Sequence, residues 1–232
     1  MSMKRRPPVG NVRRVAAIGQ NMRGVMTNKA GRVVQFESSL ERSLLLRLDR
    51  DRSVRDYGSQ PETFQFGDDQ GKPRTYTPDF IVWRNDGAIE IHEVTLTQRR
   101  TRPAIRLREA AAAAICQQRG WRYIVHTEQD LPQNSELANL LALFHYRPSA
   151  YAQTAVTQAA SVHLSDGRPS TVHQLTCQLT TTLNLPLATV AAALYHLLWH
   201  GRLQADIHQP IFVQGRVAEN VAVHFSLEED GS

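Results

Sequence analysis

The stretch YTPDFIVWRNDGAIEIHEVTLT, residues 76–97, constrains the fold more than any other part of the chain. Two apolar runs flank the turn Asn85-Asp86-Gly87, a pattern typical of a β-hairpin. Counting outward from the turn places Asp79 opposite Glu93. Opposed residues have β-carbons about 5 Å apart, and like charges so placed are destabilising unless something positive lies between them. The sequence therefore predicts a hairpin whose two carboxylates lie beside a positive group. That group is a divalent cation or, because arginines are plentiful, the partner in a surface salt bridge.

The second strand of this hairpin alternates between two faces. Ile89, Ile91, Glu93 and Thr95 lie on one face because side chains alternate along a strand. The same count places Trp83 opposite Ile89. Glu93 is therefore expected to share its face with a hydroxyl side chain two residues later.

The segment FESSLERSLLLRLDRD, residues 36–51, predicts an amphipathic helix before the hairpin. Ser38 and Ser39 are N-cap candidates, and the leucines recur at helical spacing. The helix carries an acid in its first turns. Glu41 or Glu37 could therefore add a third carboxylate to the hairpin pair.

A second helix is predicted after the hairpin, over residues 102–119. Pro103 stands where a first-turn proline is tolerated, and Gly120 is a helix C-terminal signal. The next strand is predicted at Trp121–His126. Helices interleaved with strands indicate an α/β domain with a mixed sheet flanked by helices.

The net charge of +5 is concentrated at the N-terminus, where eight basic residues and no acid precede Glu37. Such an arm indicates a polyanion partner, although a solvated tail is the alternative. A second basic cluster follows the hairpin. Two clusters that flank a carboxylate pair favour nucleic acid. The residues that we expect to bind DNA are Lys4, Arg5, Arg6, Arg13, Arg14, Arg99, Arg100 and Arg102.

The remaining composition is that of a globular protein, with 41% hydrophobic and 21% charged residues. No apolar run approaches the roughly 20 residues of a membrane span, and the N-terminus lacks a signal-peptide core. We therefore expect a cytoplasmic protein. Cys116 and Cys177 lack zinc-site spacing and are expected to be buried thiols. His196 and His200 lack the glutamate of an HExxH motif, so core or solvated histidines are expected.

The character of the chain changes near Ser161, where basic residues become sparse. Two predicted helices, RPSTVHQLTCQLT and PLATVAAALYHLLWHGRLQAD, precede a pair of predicted short strands. This order is typical of a winged-helix domain. The sequence thus predicts a basic arm at 1–35, a catalytic domain at 36–148 and a winged-helix-like domain at 149–232.

Residues 20–145 resemble a known family. The strings FESSLERSLLLRLDRDRSVRDYGSQPETFQF, GKPRTYTPDFIVW, IEIHEVT and ICQQRGWRYIVHTEQDL are similar to the TnsA-type endonuclease subunit of heteromeric cut-and-paste transposons. The resemblance implies a restriction-endonuclease-like fold of the PD-(D/E)XK type. It also implies metal-dependent hydrolysis of the non-transferred strand at the ends of a mobile element.

By this resemblance, Asp79 matches the PD and Glu93 the (D/E), so both would be metal ligands. Glu41 would be the catalytic helix acid and a third ligand, with Glu37 as the alternative. The implied cofactor is Mg²⁺, for which Mn²⁺ would substitute. The implied partners are transposon-end DNA, a DDE-type transposase and an AAA+ ATPase regulator in a bacterial cytoplasm, with no membrane.

Thr95 departs from the family pattern, which has a lysine two residues after the acid. Lysine supplies positive charge at the reacting phosphate, and the loss of one such donor costs about 3–4 kcal/mol, or roughly 10²- to 10³-fold in rate. An arginine among Arg99, Arg100 and Arg102 could supply charge instead. The alternatives are a pseudo-nuclease that serves as a DNA-binding and assembly subunit, and a stand-alone restriction or repair nuclease.

Overall fold

The computed structural model describes residues 22–165, 170–213, 216–217 and 221–225. The five basic residues predicted to bind DNA from the N-terminal arm lie outside these ranges. The chain divides into two compact units, residues 1–131 and 132–232. The sequence analysis placed this boundary later, between residues 148 and 149.

The first unit is a mixed α/β structure. Its strands are β1 (Gly24–Thr27), β2 (Val33–Phe36), β3 (Val54–Ser59), β4 (Phe64–Gly67), β5 (Pro73–Tyr76), β6 (Phe80–Arg84), β7 (Ile89–Val94) and β8 (Arg122–His126). Its helices are α1 (Ser39–Arg50) and α2 (Pro103–Gln118), and a 3-10 helix spans Thr97–Thr101.

A four-stranded mixed sheet forms the centre of this unit, in the order β3-β6-β7-β8. The first two pairings are antiparallel, and β7 pairs with β8 in parallel. Trp83 pairs with Ile89, so the predicted hairpin register is confirmed. The mixed sheet flanked by helices is also confirmed.

The two long helices cover opposite faces of the sheet. On one face, the Tyr57 hydroxyl donates a 2.8 Å hydrogen bond to Asp49 of α1. On the other, Ala112 and Cys116 of α2 pack with Ile91 in a buried apolar cluster. Glu93 lies two residues after Ile91 and therefore faces α2.

An antiparallel β1–β2 hairpin occupies residues 24–36, which the sequence analysis assigned almost entirely to the basic arm. The turn is held by Asn28, whose side-chain oxygen accepts hydrogen bonds from the backbone of Ala30 and Arg32. Val34 and Phe36 are buried. These short strands have only one inward residue in two, which is why the hydrophobic pattern alone did not reveal them.

A buried ionic network on the α1 face of the sheet is centred on Glu90, which is 1% exposed. Its carboxylate contacts Arg84 at 2.8 Å and the His92 Nε2 at 3.0 Å, and it also pairs with Arg122. Burial by itself would raise the pKa of Glu90. The hydrogen bonds from His92 and Arg84 outweigh burial and lower that pKa to about 2.

His126 extends this network from β8. Its Nε2 lies 2.8 Å from Nδ1 of His92, and the two rings stack with centroids 4.9 Å apart. Two ring nitrogens at this distance share one proton, so one of them must offer a lone pair. Burial and the neighbouring His92 lower the pKa of His126 to about 4.

The free energy of unfolding is expected to decrease as the pH is lowered from 6.5 to 4, because of His126. As the pH falls, His126 of the unfolded chain is protonated near its ordinary pKa of 6.5. In the folded chain, the pKa of His126 is about 4, so it is protonated only at lower pH. The loss is at most about 1.4 kcal/mol per pH unit. Urea unfolding at pH 7, 6 and 5 should show a shallower pH dependence for His126→Gln. Equal slopes in the variant and the wild type would contradict this account.

The second unit is mainly helical. Its helices are α3 (Asn134–Phe144), α4 (Gln153–Leu164), α5 (Val172–Leu183) and α6 (Leu187–Trp199). Its strands are β9 (Ser170–Thr171), β10 (Leu203–Ala205), β11 (Phe212–Val213), β12 (Arg216–Val217) and β13 (Ala222–Phe225). The strands β10, β13 and β9 form one antiparallel sheet in that order, and β11 pairs with β12.

Helix α6 is the buried centre of the second unit, and Trp199 is 1% exposed. His196 and His200 each bond to backbone carbonyl oxygens in residues 146–148, so their role here is structural, as expected. Cys116 is buried but Cys177 is exposed, so the prediction of two buried thiols was wrong for Cys177. Its position on the outer face of α5 explains the difference. Within the described residues, no helix is long and apolar enough to cross a membrane.

Candidate active site

The two carboxylates of the central hairpin meet as predicted. The β6–β7 register, continued one residue beyond Phe80 and His92, sets Asp79 opposite Glu93. The two carboxyl groups interact directly. The Val94 backbone N–H donates a 2.8 Å hydrogen bond to Asp79 Oδ2 and fixes its orientation.

Glu93 is held from two sides. The Tyr76 hydroxyl donates a hydrogen bond to Glu93 Oε2, and Arg108 of α2 donates to Oε1 at 2.6 Å. The Arg108 guanidinium also lies over the Tyr76 ring, 4.6 Å from its centroid. The hydroxyl groups of Tyr76 and Tyr123 are 3.5 Å apart. Glu93 is therefore fixed by a tyrosine and an arginine that pack on each other.

This arrangement makes both carboxylates hard to ionise. Burial and the charge of Glu93 raise the pKa of Asp79 well above its usual range. Burial also raises the pKa of Glu93, although Arg108 and the Tyr76 hydrogen bond oppose the increase. The charge of Glu93 raises the pKa of Asp79, whereas the hydrogen bond with Asp79 lowers the pKa of Glu93, so the two groups share a proton that a bound cation would replace. The conflict seen in the sequence is thus present in the fold.

Glu41 lies in the first turn of α1, and its carboxyl group interacts electrostatically with Asp79. Burial and the charge of Asp79 raise the pKa of Glu41 to about 7. Its oxygens accept hydrogen bonds from the Glu37 backbone N–H at 2.7 Å and from the Ser38 hydroxyl at 2.9 Å. The Glu41 N–H returns a 3.1 Å bond to Ser38 Oγ. Ser38 therefore caps α1, and the Glu41 carboxylate binds the residues at the helix start while it lies within the electric field of Asp79.

Glu37 is held by a different residue. Gln60 donates a 3.1 Å hydrogen bond from Nε2 to Glu37 Oε1, and its backbone N–H donates to the carbonyl oxygen of Asp79 at 2.8 Å. Gln60 is 6% exposed and has a left-handed φ of 45°. Strained backbone of this kind is often retained at functional sites. The charge of Asp79 raises the pKa of Glu41, whereas the Glu37 carboxylate is hydrogen-bonded to Gln60, so we favour Glu41 as the helix acid.

A cleft of about 460 Å³ lies between the start of α1 and the end of β7. Glu41, Thr95 and Arg99 are all in its wall. Asp79 adjoins the cleft through its hydrogen bond to Val94, which is also in the wall. The remaining lining residues are Met22, Glu37, Ser38, Ser39, Leu40 and Leu96.

The arginines suggested as substitutes for the missing lysine differ in their surroundings. Arg100 pairs with Glu109 at 3.0 Å. Arg102 is the N-cap residue of α2, and its carbonyl oxygen accepts a 3.0 Å bond from the Ile105 N–H. Arg99 lines the cleft. The arginine that contacts the carboxylate pair is Arg108.

The donor set suits a hard divalent cation. Carboxylate oxygens are the ligands that Mg²⁺ prefers, and it is usually held by one or two carboxylates together with substrate phosphates and water. Asp79 and Glu93 meet that description. Among the described residues, no group of three or more His, Cys, Asp or Glu side chains is arranged to hold a metal ion.

Residues 51–128 match the sequence model of the TnsA-like endonuclease N-terminal domain. The chain carries a TnsA-like endonuclease domain. The resemblance read from the sequence is thus confirmed, and the domain indicates a nuclease role in transposition. A comparison with curated proteins gave no significant match. Asp79, Glu93 and Thr95 lie inside the matched segment of this TnsA-like domain, and Glu41 precedes it.

The sequence analysis did not single out Tyr76 or Arg108 as site residues of the TnsA-like domain. A signal for Arg108 was present, because Arg108, Ala112 and Cys116 recur at intervals of four on α2. Residues four apart share a helix face, so the face that buries a small residue and a thiol also carries the arginine. Tyr76 has no comparable signal, because its role depends on the position of β5.

Proposed function

We propose that this protein is a magnesium-dependent DNA endonuclease subunit that hydrolyses the non-transferred strand at the ends of a mobile element. The observation that carries the proposal is the opposed, buried pair of Asp79 and Glu93, in which the charge of Glu93 raises the pKa of Asp79, beside a cleft in a TnsA-like endonuclease domain. A pair that is costly to fold is usually retained for chemistry.

The side chains around the pair have roles in this reaction. Asp79 and Glu93 would hold Mg²⁺, or Mn²⁺ in its place, oriented by the Val94 N–H and by Tyr76. When bound, the ion would activate water and offset the charge of the phosphate. Glu41, with a pKa of about 7, is suited to take up a proton near neutral pH. Arg99 would contribute positive charge along the cleft.

The second unit is proposed to have a winged-helix architecture and to serve in assembly. Its helix–strand–helix–helix–strand order and the sheet order β10-β13-β9 support this architecture. Residues 132–232 contain four arginines, no lysine and seven acidic residues, which gives a formal charge of −3, against +8 for residues 1–131. Such a unit is poorly suited to phosphate contacts. We therefore assign contacts with the DDE-type transposase or the AAA+ ATPase to this unit, and DNA contacts to the arginines of the first.

The test is cleavage of a supercoiled plasmid that carries the ends of the mobile element. The full-length chain would be incubated with Mg²⁺ and the partner transposase and ATPase, with EDTA as the control. We expect magnesium-dependent breaks whose mapped positions lie on the non-transferred strand. Cleavage that persists in EDTA, or breaks on the transferred strand alone, would argue against the proposal.

A second candidate is a pseudo-nuclease that binds and assembles without cutting. Thr95 brings no charge, and both oxygens of Glu93 already accept hydrogen bonds, which favours this alternative. The two candidates separate in the same assay. If the wild-type complex is silent while the Thr95→Lys variant cuts, the pseudo-nuclease is correct. If the wild type cuts, it is excluded.

A further inference from the structure

Arg108 occupies a distinctive position among the described residues, because it is the arginine that forms an ion pair with Glu93. It approaches from α2, on the sheet face that also carries Ile91. Its side chain is 26% exposed, and Glu93 is 6% exposed at the side chain. The pair is therefore largely shielded from water, which strengthens its interaction.

The surroundings of Arg108 fix its charge in place. The guanidinium stacks on Tyr76, and Tyr76 itself donates to the other oxygen of Glu93. Its Nε is buried and has no hydrogen-bond partner in the described part of the chain. Arg108 thus binds Glu93 through one end of the guanidinium and retains unused donor capacity beside the carboxylate pair.

Resting on the proposed nuclease function, we infer that Arg108 is a positioning residue that supplies, from α2, the fixed positive charge absent at Thr95. The charge acts on Glu93 directly and on Asp79 through space. Arginine can do this because its role here is electrostatic: it remains protonated and transfers no proton. The consequence is that the site needs no lysine two residues after its acid.

Moving the positive charge from position 108 to position 95 by mutation tests this inference. Arg108→Gln is expected to lower cleavage about 100-fold, the scale for losing one preorganised charge. Adding Thr95→Lys to Arg108→Gln should restore most of that loss, because the lysine returns a positive charge from the end of the strand that carries Glu93. Arg108→Lys, which keeps the charge but loses the planar stacking on Tyr76, should remain within about tenfold of wild type.

The second readout is Mn²⁺ affinity, measured by electron paramagnetic resonance on the full chain without DNA. Arg108→Gln should bind Mn²⁺ about tenfold more tightly, because the substitution removes a positive charge that contacts Glu93, one of the two carboxylates that would hold the ion. Arg119→Gln is the matched control. Arg119 ends the same helix, pairs with Glu62 at 2.5 Å and stacks on Phe64 and Trp121. It should change neither readout.

Lower cleavage together with tighter Mn²⁺ binding supports the inference, since a purely structural loss would weaken both. Where the wild type cleaves, equal or faster cleavage by Arg108→Gln, or no rescue by Thr95→Lys, would overturn the inference. Weaker Mn²⁺ binding by Arg108→Gln would overturn it in every case. If Arg108→Gln does not fold, the Arg108→Lys variant decides: a loss far beyond tenfold with folding intact overturns the inference. If no variant cleaves but Mn²⁺ affinity rises as expected, the nuclease proposal fails and the charge assignment stands.

Discussion

Replacing Asp79 with asparagine is expected to abolish cleavage, by at least about 10³-fold, and to stabilise the fold. Cleavage is lost because a neutral amide is a poor ligand for Mg²⁺ and leaves Glu93 as the only carboxylate of the pair. Stability rises because the burial and repulsion that raise the pKa of Asp79 are removed. The amide oxygen can still accept the hydrogen bond from Val94. A gain of roughly 0.5–2 kcal/mol is expected, the usual range when a conflict at a functional site is relieved.

Two measurements on the same preparation check this result: the plasmid assay with Mg²⁺ and urea unfolding without metal. Asp86→Asn provides the control, since Asp86 lies in the exposed hairpin turn and its side chain accepts from the Ala88 N–H. The control should leave both quantities near their wild-type values. An Asp79→Asn protein that is less stable than wild type would show that the pair is not in conflict.

Replacing Glu90 with glutamine is expected to have the largest effect on stability. The substitution leaves Arg84 and Arg122 without the buried carboxylate that they share, and breaking one partner of a buried ionic network costs about 3 kcal/mol. The melting temperature of the first unit should fall by roughly 10 °C or more. Differential scanning calorimetry of the full chain measures this.

The comparison for Glu90 is Glu62→Gln, which removes one carboxylate from a more exposed ion pair with Arg119. Exposed pairs contribute about 0–1 kcal/mol, so this variant should melt close to wild type. If the Glu90→Gln protein has the same melting temperature as Glu62→Gln, the ionic network contributes little to stability. The site itself would then owe its rigidity to the apolar packing of β7.

Much of the fold could be predicted because its signals are local. The turn Asn85-Asp86-Gly87 sets the β6–β7 register by itself, and Ser38 and Gly120 mark helix ends that the structure confirms. The β1–β2 hairpin was not predicted, because its strands are four residues long and its turn depends on the buried side chain of Asn28. Short strands carry too few inward positions for a pattern to emerge.

The site was predictable only where its residues are close in sequence or carry a motif. Asp79 and Glu93 follow from one hairpin, whereas the contact of Arg108 with Glu93 depends on how α2 packs on the sheet. The role of Gln60 depends on a strained backbone that no composition signal records. The raised pKa of Glu41 likewise depends on the approach of α1 to Asp79. These features arise from tertiary packing and cannot be predicted from local sequence propensity.

The position of Arg108 on α2 means that the geometry of the site depends on the number of residues between Arg108 and Ala112. An α-helix turns about 100° for each residue, so one alanine deleted between Arg108 and the buried Ala112 would swing the guanidinium a quarter-turn or more away from Glu93. The arginine would still be in the sequence, and the net charge would be unchanged. In relatives of variable length, the spacing from the arginine to the buried alanine and cysteine is therefore a better guide to this charge than the presence of an arginine alone.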